Sequence, residues 1–320
     1  MITPKILDRL LIRAQVRVVA TKMNATPQEA RQDNIPDPDR PEFEGGLKMA
    51  THQPKKMNNN LLLLTLSTIM SISGCQSLDH DQSSVQDKLE TRKQIVINSL
   101  DSGNAGQALK EVRPLLDEYP NNAEILNLNG LIQLALNNNN KAIEVMEKAH
   151  SLQPENITFV LNLSSAYIQG HHYAKGTKIL KETIASEAVK SYRYRERLFH
   201  NLGLIAELSG DSIRSERWYG RALEENPTNF LTLLRMARIY ETTHRSRLAL
   251  DQLETAKGAC IRCVEPIEGM IRILLKQKKI STAKALLAGY EKNESLTDDD
   301  TRRIVEMKNM IAKFQAPVMR

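Results

Sequence analysis

The feature that most constrains this chain is a period. Ala108 and Ala142, Pro120 and Pro154, Ala222 and Ala256, and Ala249 and Ala283 each stand 34 residues apart. A fixed interval of that length marks a supersecondary unit that stacks on copies of itself, because one unit alone cannot bury its apolar face. Composition says which unit. Aromatic residues make up only 4% of the 320, glycine contributes 14, and leucine, alanine, isoleucine, lysine and glutamate dominate. Such a mixture favours helices over sheets that need many tight turns. The expected fold is all-α.

Thirty-four residues is the length of the tetratricopeptide repeat, whose pattern sets a large residue, Leu-Gly and Tyr on a first helix, small residues on a second, and proline after it. Residues 196–229 resemble it well, with Phe199, Leu202-Gly203, Tyr219, Ala222 and Pro227. Residues 123–156 supply Leu126, Gly130, Ala142, Met146, Ala149 and Pro154, and residues 230–263 supply Leu233, Met236-Ala237, Tyr240, Ala249, Leu253 and Ala256. Residues 89–122, 157–190 and 264–297 keep the frame more loosely. The resemblance implies a tetratricopeptide-repeat superhelix of about six helix-turn-helix units over 89–297. Between the third and fourth units the frame slips by five residues, SYRYR at 191–195. The stretch 298–314, DDDTRRIVEMKNMIAKF, opens with acids suited to a helix N-terminus and reads as a solvating cap, with a tail to 320.

The N-terminal quarter follows different rules. Lys55-Lys56 precede the thirteen-residue run LLLLTLSTIMSIS at 61–73, which ends at Gly74-Cys75. A basic start, an apolar stretch of that length and small residues at the cut describe a secretion signal, and the run is too short for a comfortable membrane span. Ile72-Ser73-Gly74-Cys75 resembles the bacterial lipobox, which implies a covalent lipid on Cys75 and no other cofactor. Residues 1–48, with IPDPDRPEFEGG, read as an unstructured or non-native upstream extension. The expected arrangement is a start at Met49, a signal peptide over 49–74 and a lipidated, flexible tether over 75–88.

If the repeats stack, the first helix of each lines an inner surface, and in this repeat family the second, fifth, ninth and twelfth positions face inward. In repeats one to three these positions hold Ile97, Leu100, Leu131, Leu134, Leu161 and Ile168, with Asn127 and Ser165 among them. They form the candidate groove for a partner's apolar segment. Repeats four to six place Arg197, His200, Glu207, Arg238, Glu241, Glu265, Glu268 and Arg272 there instead.

Other chemistry finds little support. Half of the net charge of +6 lies in residues 1–74, and no basic block follows, so nucleic acid is not an expected partner. The short strip of Arg193, Arg195 and Arg197 interleaved with Tyr192 and Tyr194 suits a protein contact at most. His171-His172 falls at an inter-helix turn, the seven histidines show no metal-ligand spacing, and no nucleophile, base and orienting group assemble. No small-molecule substrate is expected. Cys260-Ile261-Arg262-Cys263 is an isolated C-x-x-C outside any βαβ pattern, compatible with a periplasmic disulfide.

The stretch RERLFHNLGLIAELSGDSIRSERWYGRALEENP at 195–227, followed by LLRMARIYE at 233–241, resembles the type IV pilus biogenesis and stability lipoproteins of the PilF/PilW type, the pilotins. The matching positions are Arg195, Arg197, Phe199, Asn201, Leu202, Gly203 and Leu204. The resemblance covers roughly residues 75–315. It implies a non-enzymatic lipoprotein on the periplasmic face of the outer membrane that binds secretin subunits and promotes their localisation and multimerisation. Gln76 after the lipid cysteine agrees with outer-membrane sorting. A repeat lipoprotein that scaffolds peptidoglycan hydrolases or another envelope complex is the alternative, and an enzyme with a cysteine redox pair is the third.

Overall fold

The computed structural model describes residues 77–293 and 296–315. The upstream extension, the signal segment, Cys75, Gln76 and residues 316–320 lie outside the described residues. Among the described residues there are thirteen α-helices, one short 3-10 helix and no strand. The order is α1 (Ser77–Asp101), α2 (Ala105–Glu118), α3 (Ala123–Ala135), α4 (Asn139–Leu152), α5 (Ile157–Gln169), α6 (Tyr173–Ala185), α7 (Glu196–Leu208), α8 (Ser212–Glu225), α9 (Phe230–Thr242), α10 (Ser246–Ala259), α11 (Glu265–Lys276), α12 (Ile280–Tyr290) and α13 (Asp298–Gln315). Odd-numbered helices to α11 are the first (A) helices of the six units, even-numbered ones the second (B) helices, and α13 follows as the cap.

The tether expected over 75–88 is helical from Ser77. Near its C-terminal end Gln86 donates to Glu90 Oε1 one turn on, at 3.0 Å. Such an i,i+4 pair supports a helix locally.

Each repeat closes through the same two devices. The first is a small residue where the B helix crosses its A helix: Ala108, Ala142, Gly176, Ser215, Ala249 and Ala283 are all buried at the same place in their units. The A helix meets them with small residues of its own. A methyl group added at Gly203 would lie 2.5 Å from the Tyr219 ring, and one at Gly130 would lie 2.4 Å from Met146.

The second device is the turn from A to B. Gly103, Asn137, His171, Gly210, His244 and Lys278 all carry φ between 59° and 82°, each fifteenth in its unit. The next amide reaches back to a carbonyl five residues earlier, as in Asn138 to Gln133 (2.8 Å), His172 to Tyr167 (2.8 Å) and Arg245 to Tyr240 (2.7 Å). That left-handed residue with its long-reach amide is the Schellman arrangement, which satisfies carbonyls that a helix end leaves open.

The five-residue slip at 191–195 opens on the last residue of a 3-10 helix and continues as a turn into α7. Residues 187–191 form the 3-10 helix Glu187–Ser191, whose Val189 is buried against Leu198 and Leu202 of α7. The cap α13 shares a core with α11 and α12 through Ile304, Met307 and Ile311.

Candidate partner-binding face

The A helices form a row. Besides its own B helix, α3 touches α5, α5 touches α7, α9 touches α11, and α11 touches α13. Two stretches of that row differ in chemistry.

In repeats two to four the row is closed to solvent. Every residue of α3 from Ile125 to Leu134, of α5 from Phe159 to Ile168 and of α7 from Leu198 to Ala206 is buried. The six apolar positions expected to line an open groove belong to this closed region or to α1: Ile97 is 8% exposed, Leu100 2%, Leu131 2%, Leu134 7%, Leu161 2% and Ile168 4%. Leu161 and Ile168 pack with Leu180, Leu198 and Leu202. The structure therefore places these side chains in the core instead of on an open apolar patch.

Amides run through the same region. Asn162 Nδ2 donates to Asn127 Oδ1 at 2.9 Å, and Asn201 Nδ2 donates to Ser164 Oγ at 2.8 Å, each bond joining one A helix to the next. The Asn127 amide nitrogen and the Asn162 amide oxygen have no further partner. His200 closes the series. Thr232 donates its only hydroxyl proton to Asn229 Oδ1 (2.9 Å), so the 2.9 Å contact between His200 Nδ1 and Thr232 Oγ1 makes Nδ1 the donor and leaves Nε2 a bare acceptor. Burial, then the charges of Arg235 and Arg197, push the His200 pKa down to about 3, and the ring stays neutral.

In repeats four to six the row is charged but paired with itself. Glu207 of α7 meets Arg235 of α9 at 3.3 Å and accepts the Tyr219 hydroxyl at 2.8 Å. Glu241 of α9 takes Arg272 (3.0 Å) and Lys276 (2.7 Å) of α11, and Arg303 of α13 reaches Glu265 (2.8 Å) and Glu268 (2.5 Å) of α11. Sequence reasoning placed Glu207, Glu241, Glu265, Glu268 and Arg272 on this face, and the structure brings them together there. It missed Arg235, Lys276 and Arg303, whose signal is charge of opposite sign 28 to 38 residues from a carboxylate.

Cys260 and Cys263 are joined through their sulfurs at the turn between α10 and α11, with Cα atoms 5.4 Å apart. Among the described residues no three His, Cys, Asp or Glu side chains gather as a metal site, and no helix is long and apolar enough to cross a membrane.

The profile of the tetratricopeptide repeat matches residues 123–156, the unit of α3 and α4. The described residues have the fold of a tetratricopeptide-repeat array. Arrays of this kind mediate protein–protein contact. No curated protein sequence matches this one. Among solved structures the array is similar to PilF of Pseudomonas aeruginosa, at 18% identity and a TM-score of 0.53, over 68% of this chain and 96% of that one. PilW, described as a widely conserved type IV pilus biogenesis factor, matches at 15% identity and 0.56, over 67% and 97%. The human IFIT1 dimer, solved with m7Gppp-AAAA, matches at 15% and 0.52 but over only 54% of its length. At these identities the likeness is one of fold.

Proposed function

We propose that this array is a non-enzymatic assembly factor of type IV pili, anchored by a lipid on Cys75 to the periplasmic face of the outer membrane, which binds a secretin and promotes its localisation and multimerisation. One observation carries the reading: the array accounts for nearly the whole of PilF and of PilW, 96% and 97%, and for little more than half of the IFIT1 chain of the same fold. The ladder of Glu207, Arg235, Glu241, Arg272 and Lys276 is neutralised internally, so it offers a partner little net charge. The contact accordingly falls on the A helices of repeats one to three. Their apolar side chains are closed to solvent, so engagement requires that face to open.

Co-purification from detergent-extracted envelopes tests this. The full-length protein should bring down a secretin, and secretin multimers should fall on Cys75→Ser substitution while the array still folds, because stable anchoring is lost with the acyl chains. Recovery of peptidoglycan hydrolases without secretin would replace this reading with that of a scaffold for wall enzymes.

A further inference from the structure

Four junctions between a B helix and the next A helix are built on one four-residue turn: residues 119–122, 153–156, 226–229 and 260–263. In each, the fourth amide donates to the first carbonyl at 3.1 Å. In the first three the second residue is Pro120, Pro154 or Pro227 and the fourth is Asn122, Asn156 or Asn229, whose side chain caps the following helix. Proline fixes φ in the turn, and the asparagine satisfies an amide left open at the helix start.

The fourth junction has neither. Ile261 stands in the proline's place and Cys263 in the asparagine's, and α11 begins behind Val264 with no side-chain cap. Pro266, three residues beyond Cys263, has no amide of the kind that Asn229 caps on Thr232. What the junction has instead is the Cys260–Cys263 bond, which ties the first residue of the turn to the last. The only other side-chain tie on the turn among the hydrogen bonds described is Tyr290, whose hydroxyl donates to the Arg262 carbonyl at 2.8 Å.

We propose that this disulfide is a redox-set joint: it holds repeat six and the cap onto repeat five in the oxidised protein, and a dithiol reductant opens it. Both cysteines are half-exposed, and Ile261 between them is 77% exposed, so a small dithiol can reach the sulfurs. A thiolate of the reductant attacks one sulfur to give a mixed disulfide, and its second thiol then displaces the protein sulfur. Two electrons and two protons pass to the protein, which gains two thiols, and the reductant leaves as its own disulfide.

The opening is local. A bridge across so few residues constrains the unfolded chain little, and α11, α12 and α13 share their own core through Ile267, Ile271, Leu275 and Met307. Repeat six therefore stays folded while its entry turn loosens. The inference is independent of the pilus reading, because it rests on the junctions alone.

Hydrogen exchange followed by mass spectrometry on the full-length protein, with and without dithiothreitol, tests it. Amides 263–270 should exchange roughly tenfold faster after reduction, and amides 123–169 should not change. Cys260→Ala with Cys263→Ala should match the reduced protein. A quadruple change, Cys260→Asn, Ile261→Pro, Cys263→Asn and Pro266→Thr, rebuilds the turn and the capped amide of residues 226–232 and should exchange slowly with or without reductant. Equal exchange at 263–270 in the oxidised and reduced protein would overturn the proposal, as would two free thiols in untreated protein isolated from an oxidising compartment.

Discussion

Repeats two and three and repeats five and six place equivalent helices in equivalent rows, yet hold them by opposite means. In the first pair, α3 and α5 are buried nearly all round, joined by the Asn127–Asn162 amide bond and entered through Pro-x-Asn turns. In the second pair, α9 and α11 keep a half-exposed face, joined by Glu241 to Arg272 and Lys276 and entered on one side through a disulfide. The period requires only small residues at the A–B crossing and a left-handed turn. Everything between neighbouring A helices is free to change, and there burial has been exchanged for charge.

The largest effect that would test this contrast comes from putting charge where burial does the work. Leu131→Glu with Leu134→Glu sets two carboxylates at positions 2% and 7% exposed, where an unpaired buried charge costs several kcal/mol. The array should lose its cooperative thermal transition or melt far below the parent, as followed by circular dichroism. Arg238→Ala with Glu241→Ala, on the other pair of repeats, should lower stability by only about 1 kcal/mol. Equal melting of the two variants would erase the distinction drawn between the halves.

A smaller effect is confined to the charged side. Burial pushes the Glu241 carboxyl up, but hydrogen bonds and charge from Arg272 and Lys276 outweigh it and hold the group below the ordinary glutamate range. The unfolded chain therefore takes up the proton first as the pH falls. The stabilisation is complete above the unfolded value of about 4.5 and fades as the pH drops through the lower folded value. Glu241→Gln should cost about 1 kcal/mol near neutrality, and the gap to the parent should close in acid. Urea unfolding at pH 7 and at pH 3 measures it. A gap that stays constant would mean that the Arg272 and Lys276 contacts contribute nothing through charge.

Much of the fold could be read beforehand because the repeat writes itself in residue size. Ala142, Ala149, Ala222 and Pro154 mark crossings and exits that admit few alternatives, and the slip of five residues at 191–195 marked where the regular alternation of helices is interrupted. What escaped was whatever depends on contact between units. Ile97, Leu131 and Ile168 fall in the right helices, but helical position alone does not say whether an inward side chain meets solvent or other side chains, and all are buried. Arg235 and Arg303 gain their meaning only from the neighbouring repeat, which supplies Glu207 and Glu265. The helix over 77–88 was hidden by the lack of an apolar stripe.

The left-handed turn residues were hidden as well, and they give the smallest and cleanest test. Two of the six positions hold glycine, Gly103 and Gly210, while repeats two, three, five and six hold Asn137, His171, His244 and Lys278. A left-handed backbone costs a residue with a Cβ roughly 1–2 kcal/mol, less for asparagine, whereas glycine adds about 0.4–1 kcal/mol of entropy to the unfolded chain. His244 and Lys278 are exposed, so removing their side chains should forfeit little packing. His244→Gly and Lys278→Gly should therefore each raise stability by about 0.5 kcal/mol. Asn137→Gly in the buried pair of repeats should gain nothing, because asparagine already tolerates this conformation. If chemical denaturation showed Asn137→Gly gaining as much as Lys278→Gly, the difference between the two pairs of repeats would extend to their turns, and strain at φ near 60° would not be what separates them.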